Sequence, residues 1–150
     1  SVVEIEYECL NAGSMATEIV PFAIFHGYCG WYVRAYDFSV SQFLDFSLSR
    51  MNSVAQSTRP ISMSDIPVDT MWNTIIELAF EPHPSVINRR AIELMYGMSN
   101  GRLILAVNAV VAAHILKREN IAVSKYGAFL PEKLLSLKKG LPFELTLDEF

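Results

Sequence analysis

The sequence has few of the residues on which common chemical functions depend. Only two of its 150 residues are cysteine and three are histidine, and the histidines are not spaced as metal ligands. There is no P-loop, no G-x-G-x-x-G motif, and no serine in a nucleophile elbow. We therefore expect a protein that is not an enzyme and that needs no cofactor and no metal.

Basic residues are also scarce at the start of the chain. The first 57 positions hold six acidic residues but only two basic ones, Arg34 and Arg50. A surface that neutralises a run of phosphates needs more cations, so this chain alone should bind duplex DNA poorly. No apolar run reaches the roughly 18 residues of a membrane helix, and no signal-peptide pattern is visible. We expect a cytoplasmic protein with reduced cysteines and no membrane contact.

Short alternating segments dominate residues 1–57. Apolar residues alternate with glutamate over 2–10, which is typical of a strand with one wet face. Further strands are predicted over 17–25, where Pro21 should mark an edge or a bulge, over 30–37, and from 43 to 54 with one strand running to Arg50. Strands spaced about ten residues apart predict a small barrel or sandwich.

The pattern changes after residue 57. Residues 58–71 are rich in serine, threonine and proline and predict a linker between domains 1–57 and 72–150. The second domain reads β-α-β-α: a strand over 74–80, a helix opened by His83 and Pro84, a strand over 102–107, and a helix over 109–118 capped by Asn108. A short helix should follow from Pro131 to Gly140. The predicted class is α+β.

The helices of the second domain predict a partner chain. In the first helix, apolar residues recur on one face: Ile87, Ala91, Leu94, Met95 and Met98. The helix over 109–118 is apolar nearly all round, so it should be covered on both sides. In a domain of this size, such cover indicates a homodimer held together by the last two helices.

One predicted strand presents a possible recognition strip. Because side chains alternate along a strand, residues 30–37 place Tyr32, Arg34 and Tyr36 on one face. A guanidinium forks onto a phosphate or carboxylate, and tyrosine rings stack on bases or pack around a ligand. The alternative is an exposed strand face on which Arg34 lies over the tyrosines or pairs with the glutamates of the first strand.

Two stretches carry a resemblance to a known family. G-W-Y-V-R-A-Y-D and F-L-D-F-S-L-S-R-M, at residues 30–37 and 43–51, resemble the WYL domain of bacterial transcriptional regulators, in the branch that accompanies phage-defence islands. H-P-S followed by A-I-E-L-M-Y-G-M-S-N-G-R-L-I-L-A-V resembles the dimerisation domain that follows WYL in the same regulators. The two matches stand in the family's order and cover most of the chain.

The resemblance implies a fold and a function. It implies a small Sm-like (SH3-like) β-barrel that senses a nucleotide or oligonucleotide-like effector, with Arg50 joining Tyr32, Arg34 and Tyr36 in the ligand-facing set. The family places a winged helix-turn-helix before the barrel, so DNA would be read only by an N-terminal domain absent from this sequence. Effector binding would shift a homodimer between DNA-competent and DNA-incompetent states.

The chain departs from the family pattern at several positions. The branch tends to carry polar or basic residues where this chain has Cys9, Phe22, Gly30, Tyr32 and Leu44. These departures predict an effector with less charge, or a sensor that has lost its effector. Two other functions remain open: a module that binds single-stranded nucleic acid directly, and a pure assembly domain without a ligand.

Overall fold

The computed structural model describes residues 1–119 and 135–137. They fall into two compact units, the first spanning Ser1–Asp69 and the second beginning at Thr70. Both units are built on antiparallel sheets with few helices, which confirms the predicted α+β class. The domain and linker bounds read from the sequence stay a prediction.

The first unit is a five-stranded antiparallel sheet. Its strands are β1 (Val3–Glu8), β2 (Ser14–Gly27), β3 (Gly30–Asp37), β4 (Gln42–Ser47) and β5 (Met51–Gln56), in the spatial order β4-β3-β2-β1-β5. The register of β2 against β3 shifts between Pro21 and Ala23, which confirms the predicted bulge. A proline fits there because a bulge frees the strand from one ladder hydrogen bond.

The predicted closed barrel is wrong. Within the described residues, β4 and β5 lie at opposite edges of the sheet and do not pair with each other. They are joined by the single 3-10 turn Leu48–Arg50, and three residues span only about 10 Å. The sheet must therefore curl until its two edges approach each other. After the turn, β5 pairs with β1 and not with β4.

The core of the first unit lies on one face of this sheet. Its fully buried members alternate along the strands as the sequence predicts: Ile5, Tyr7, Ile19, Val33, Ala35, Leu44 and Phe46. The Tyr7 ring meets Phe46 edge-on at 5.1 Å between centroids, and its hydroxyl accepts a hydrogen bond from the Ser47 amide at 3.0 Å. The core thus ties β1 to β4 across the sheet.

The second unit has a smaller sheet with helices packed on it. Its elements are α1 (Thr70–Asn73), β6 (Ile75–Pro82), α2 (Arg89–Met95), β7 (Leu103–Asn108), α3 (Ala109–Arg118) and β8 (Leu135–Leu137), with strand order β7-β6-β8. The Asn108 side chain accepts a hydrogen bond from the Val111 amide at 2.9 Å, which confirms the predicted cap of α3. Gly97, just beyond α2, adopts a φ of 62°, the left-handed conformation that glycine often takes after the end of a helix.

Two helix predictions in this unit are wrong. Helix α2 begins at Arg89, capped by the Asn88 side chain, and not at His83 and Pro84. Residues 135–137 of the predicted last helix form β8, paired with β6; the rest of that prediction lies outside the described residues. Strand pairing at the edge of β6 overrides the local helical preference there.

The burial of helix α2 also differs from the prediction. In α2 the buried residue is Ile92, whereas Ile87, Ala91, Leu94 and Met95 are exposed. Because α2 has only the two turns from Arg89 to Met95, it buries a single residue, Ile92. Helix α3 is buried at six of its ten residues, while Val111 and Ile115 are half-buried, and its predicted dimer contact stays a prediction. No helix among residues 1–119 is long and apolar enough to span a membrane.

Candidate functional site

The candidate site is built around Arg34 in the middle of β3. As predicted, Tyr32, Arg34 and Tyr36 share one face of the strand, opposite the core residues Val33 and Ala35. The predicted exposure of this face is wrong, because Arg34 retains only 1% of its accessible surface and both tyrosines are buried. The sheet is therefore covered on both faces along β3.

Arg34 is held by two carboxylates. Its Nε donates to Asp69 Oδ2 at 2.7 Å and its Nη2 to Asp69 Oδ1 at 3.1 Å, which forms a bidentate fork. Its Nη1 donates to Asp45 Oδ1 at 3.0 Å, and Asp45 stands directly opposite Arg34 on β4. Both acids are buried. This Arg34 clamp, one cation with two anions, carries a formal charge of −1.

The clamp keeps Arg34 charged in spite of its burial. Removing the guanidinium from water would by itself lower its pKa. The hydrogen bonds with Asp69 and the charges of Asp45 and Asp69 outweigh that effect, and the pKa of Arg34 is raised above its ordinary value. The site therefore presents a permanent cation in a low-dielectric environment, where its attraction for an anion is stronger than in water.

Aromatic rings form the walls of the clamp. Tyr32 stacks on Phe25 at 5.8 Å between centroids, and Tyr36 meets Phe43 at 5.1 Å. The Arg34 guanidinium lies 5.9 Å from the centre of the Phe43 ring. Phe43 thus contacts both Arg34 and Tyr36.

Arg50 does not lie in this cluster. It belongs to the 3-10 turn after β4, not to a strand end as predicted. Its Nη1 donates to the Glu8 carbonyl oxygen at 3.1 Å, and its guanidinium lies 4.8 Å from the centre of the Tyr7 ring. Because Tyr7 packs with the core, Arg50 is on the opposite side of the sheet from Arg34.

The segment 57–69 runs from β5 to the Arg34 clamp and is fixed at both ends. At its start the Ser57 hydroxyl and Arg59 Nη1 both donate to the Glu18 carboxylate, and Arg59 lies over the Phe38 ring at 4.4 Å. The hydrogen bond from Ser57 lowers the pKa of Glu18, and although desolvation opposes it, the hydrogen bond and charge of Arg59 help to keep that pKa below its usual value. At its end, Asp69 enters the clamp.

Two open clefts lie on the first unit. One, of about 400 Å³, is lined by the anchor residues Glu18, Phe38 and Arg59 together with Glu4. Its two acids outnumber its one base, which suits an anion poorly. The other, of about 430 Å³, is apolar and is lined by residues that include Phe22, Ile24, Leu48 and Val54. Within residues 1–119, no three His, Cys, Asp or Glu side chains are arranged to hold a metal.

The sequence did not identify Asp45 and Asp69, the two acids that bind Arg34. The predicted partners of Arg34 were the glutamates of β1. A signal existed for Asp45, because a hairpin of 30–37 with 42–47 about the turn at 38–41 sets residue 34 opposite residue 45. No local signal marks Asp69, because its place depends on the path of an irregular segment.

The comparisons agree with the family read from the motifs. Residues 75–138 match the model described as the BrxR transcriptional regulator, C-terminal dimerization domain. The chain is 26% identical over 122 residues to the DNA-binding transcriptional repressor CapW of Pseudomonas aeruginosa, an alignment that covers 79% of this chain and 40% of the relative. Together these two matches support the reading of the chain as part of a WYL-type transcriptional regulator. Its second unit is the dimerization domain of such a regulator.

The chain spans about two fifths of the length of the repressor it matches. Among solved structures, it aligns with the proteasome accessory factor B/C (PafBC) of Arthrobacter aurescens at 18% identity and a TM-score of 0.40. That alignment covers 78% of this chain and 20% of the other.

Proposed function

We propose that the chain is the effector-sensing and dimerising portion of a DNA-binding transcriptional regulator. The first unit binds a nucleotide-like or other anionic effector through Arg34, and the second joins two copies of the chain. DNA is read by another part of the whole protein. The observation that carries the proposal is a charged guanidinium, 1% exposed, that lies near the Phe43 ring and donates a bidentate fork to Asp69 and one hydrogen bond to Asp45.

The energetics of burial support a functional role for Arg34. A buried ion pair gives little stability compared with apolar side chains of similar volume, because desolvation offsets the Coulombic attraction. The planar fork that Arg34 presents to Asp69 has the geometry that also fits a phosphate. Arg50, on the other side of the sheet, would make a separate effector contact at the end of β1.

One observation favours the alternative of an assembly domain without a ligand. Arg34 is bonded to acids of its own chain, as it would be in a purely structural clamp. Direct binding of single-stranded nucleic acid is supported less, because the cleft beside segment 57–69 carries two acids and one base. The titration described below distinguishes all three functions.

The exposed side of α2 is the surface we propose for the dimer contact. Ala91, Leu94 and Met95 form an apolar stripe at helical spacing, with Leu94 and Met95 65% and 68% exposed. An apolar stripe on a helix requires cover, and this one lies within the segment that matches a dimerization domain. The contact through α3 stays a separate prediction.

The effector proposal predicts a loss of affinity when the guanidinium fork is removed. Arg34→Lys keeps the buried cation but cannot make two parallel hydrogen bonds. We expect its dissociation constant for the tetranucleotide dT4 in a calorimetric titration to rise about tenfold or more, which corresponds to about 1.4 kcal/mol. Arg59→Lys, which changes a cation bonded to Glu18 in the same unit, should bind dT4 like the unmodified chain.

The same titration separates the alternatives. Equal affinity in Arg34→Lys and the unmodified chain would remove Arg34 from the site. Tight binding of many unrelated oligonucleotides that depends steeply on salt would favour a nucleic-acid module. No binding by any variant, including Asp69→Asn described below, would leave an assembly domain.

A further inference from the structure

Segment 57–69 is mostly exposed but ends in a buried charge. Of its thirteen residues only Asp69 is classed as buried, with 7% of its surface accessible. The hydrophobic residues Met63 and Val68 point to solvent. Ile61 and Ile66 are half-buried, and the fork between Asp69 and Arg34 ties the end of the segment to β3.

We propose that Asp69 is an internal stand-in for the effector, and that the effector binds by displacing it from Arg34. The inference rests on the proposed function and adds to it both a regulatory contact and a ligand class. A carboxylate offers two oxygens to the guanidinium fork, as a phosphate does. Because both compete for Nε and Nη2, binding of the effector requires release of Asp69.

Release of Asp69 has a structural consequence. The second unit begins at the next residue, Thr70, so the fork anchors the peptide that leads directly into the dimerization domain. With Asp69 displaced, segment 57–69 keeps its other anchor, where Ser57 and Arg59 meet Glu18. The segment then loses the tie to β3 that Asp69 provides. An effector therefore changes the tether between the units without any need to touch the second unit.

The second acid of the clamp selects the ligand class. Asp45 lies on β4 and stays beside Arg34 when Asp69 leaves, so it already neutralises the guanidinium. An anion that replaces Asp69 with the same single charge keeps the clamp at −1. A dianion would bring the net charge of the clamp to −2, and at low dielectric the repulsion from Asp45 would then cost more free energy. We therefore expect a phosphodiester or carboxylate to be preferred over a terminal phosphate, which carries nearly two charges at pH 7.

The test compares two neighbouring acids of the same segment. Asp69→Asn keeps the shape of the side chain but removes its charge from the fork. Asp65→Asn is the charge-matched control: Asp65 is exposed and lies four residues earlier, where it accepts from the Ser62 amide, and asparagine keeps an oxygen acceptor there without touching the fork. Each chain is titrated with dT4 and with 5′-phosphorylated dT4. Hydrogen–deuterium exchange of peptides covering 57–69 is measured with and without saturating dT4.

We expect Asp69→Asn to bind dT4 about tenfold more tightly or better, because the competing internal anion is weakened, whereas Asp65→Asn should match the unmodified chain. In the unmodified chain dT4 should speed exchange in 57–69, and the added 5′-phosphate should not tighten binding. Equal affinities for both variants, or saturation with dT4 without faster exchange, would overturn the inference while leaving effector binding intact. Faster exchange in Asp69→Asn with no binding of dT4 by any chain would instead overturn the proposed function.

Discussion

Replacing Arg34 with alanine should lower the unfolding free energy of the first unit by about 3–5 kcal/mol. The variant leaves Asp45 and Asp69 facing each other without the cation that compensates them. Two buried carboxylates repel each other, and each loses a charge-assisted hydrogen bond. The loss should far exceed that of a surface ion pair, which is worth about 1 kcal/mol or less.

The chain offers a convenient probe for this measurement. Its two tryptophans lie one in each unit, Trp31 on β3 and Trp72 in α1. In a Trp72→Phe background, urea unfolding followed by Trp31 fluorescence reports on the first unit alone. The triple variant Arg34→Ala, Asp45→Asn, Asp69→Asn is the control, because it removes all three charges and should recover more than half of the loss. A cost below about 1 kcal/mol for Arg34→Ala would mean that the clamp is exposed to water.

Leu94→Glu should dissociate the dimer. Leu94 is 65% exposed in the single chain, so the variant should not disturb the fold of its own unit. In a twofold interface every substitution occurs twice, and each copy would bury an unpaired carboxylate. A combined cost of about 3 kcal/mol or more raises the dissociation constant at least about a hundredfold. Sedimentation velocity over a range of concentrations measures that shift.

A second exposed residue of the same unit serves as the control for the α2 stripe. Ile104 on β7 is 55% exposed and lies outside α2, so Ile104→Glu adds the same charge at a comparable apolar position. It should sediment as the unmodified dimer. If Ile104→Glu dissociates the dimer and Leu94→Glu does not, the contact lies on the sheet and the proposed role of the α2 stripe is wrong.

The elements that the sequence predicts well are those fixed by local chemistry. The alternation in β1, the bulge at Pro21 and the cap at Asn108 each follow from neighbouring residues, and the structure confirms them. Gly97 adopts the left-handed conformation because glycine pays no steric penalty there. These features need no knowledge of how distant parts of the chain pack.

The predictions that fail depend on contacts between distant parts of the chain. The strip around Arg34 has the pattern of a wet strand face, but Asp69, which lies 35 residues away, enters it and helps to bury it. Residues 135–137 have helical propensity, yet they pair with β6. In α2 the apolar spacing is real, but the chain buries Ile92 and leaves the α2 stripe exposed. Periodicity shows that a face is apolar without showing what covers it.

The Nε–H resonance of Arg34 provides the most direct test of the competition between Asp69 and the effector. In a nitrogen-15 NMR spectrum this signal can be assigned by its loss in Arg34→Lys, and the bond to Asp69 should protect it from solvent exchange. We expect the resonance to shift in Asp69→Asn, to stay in place in Asp65→Asn, and to move again when the unmodified chain is saturated with dT4. A chemical shift that is the same in the unmodified chain, in Asp69→Asn and at saturating dT4 would contradict a shared site on Arg34.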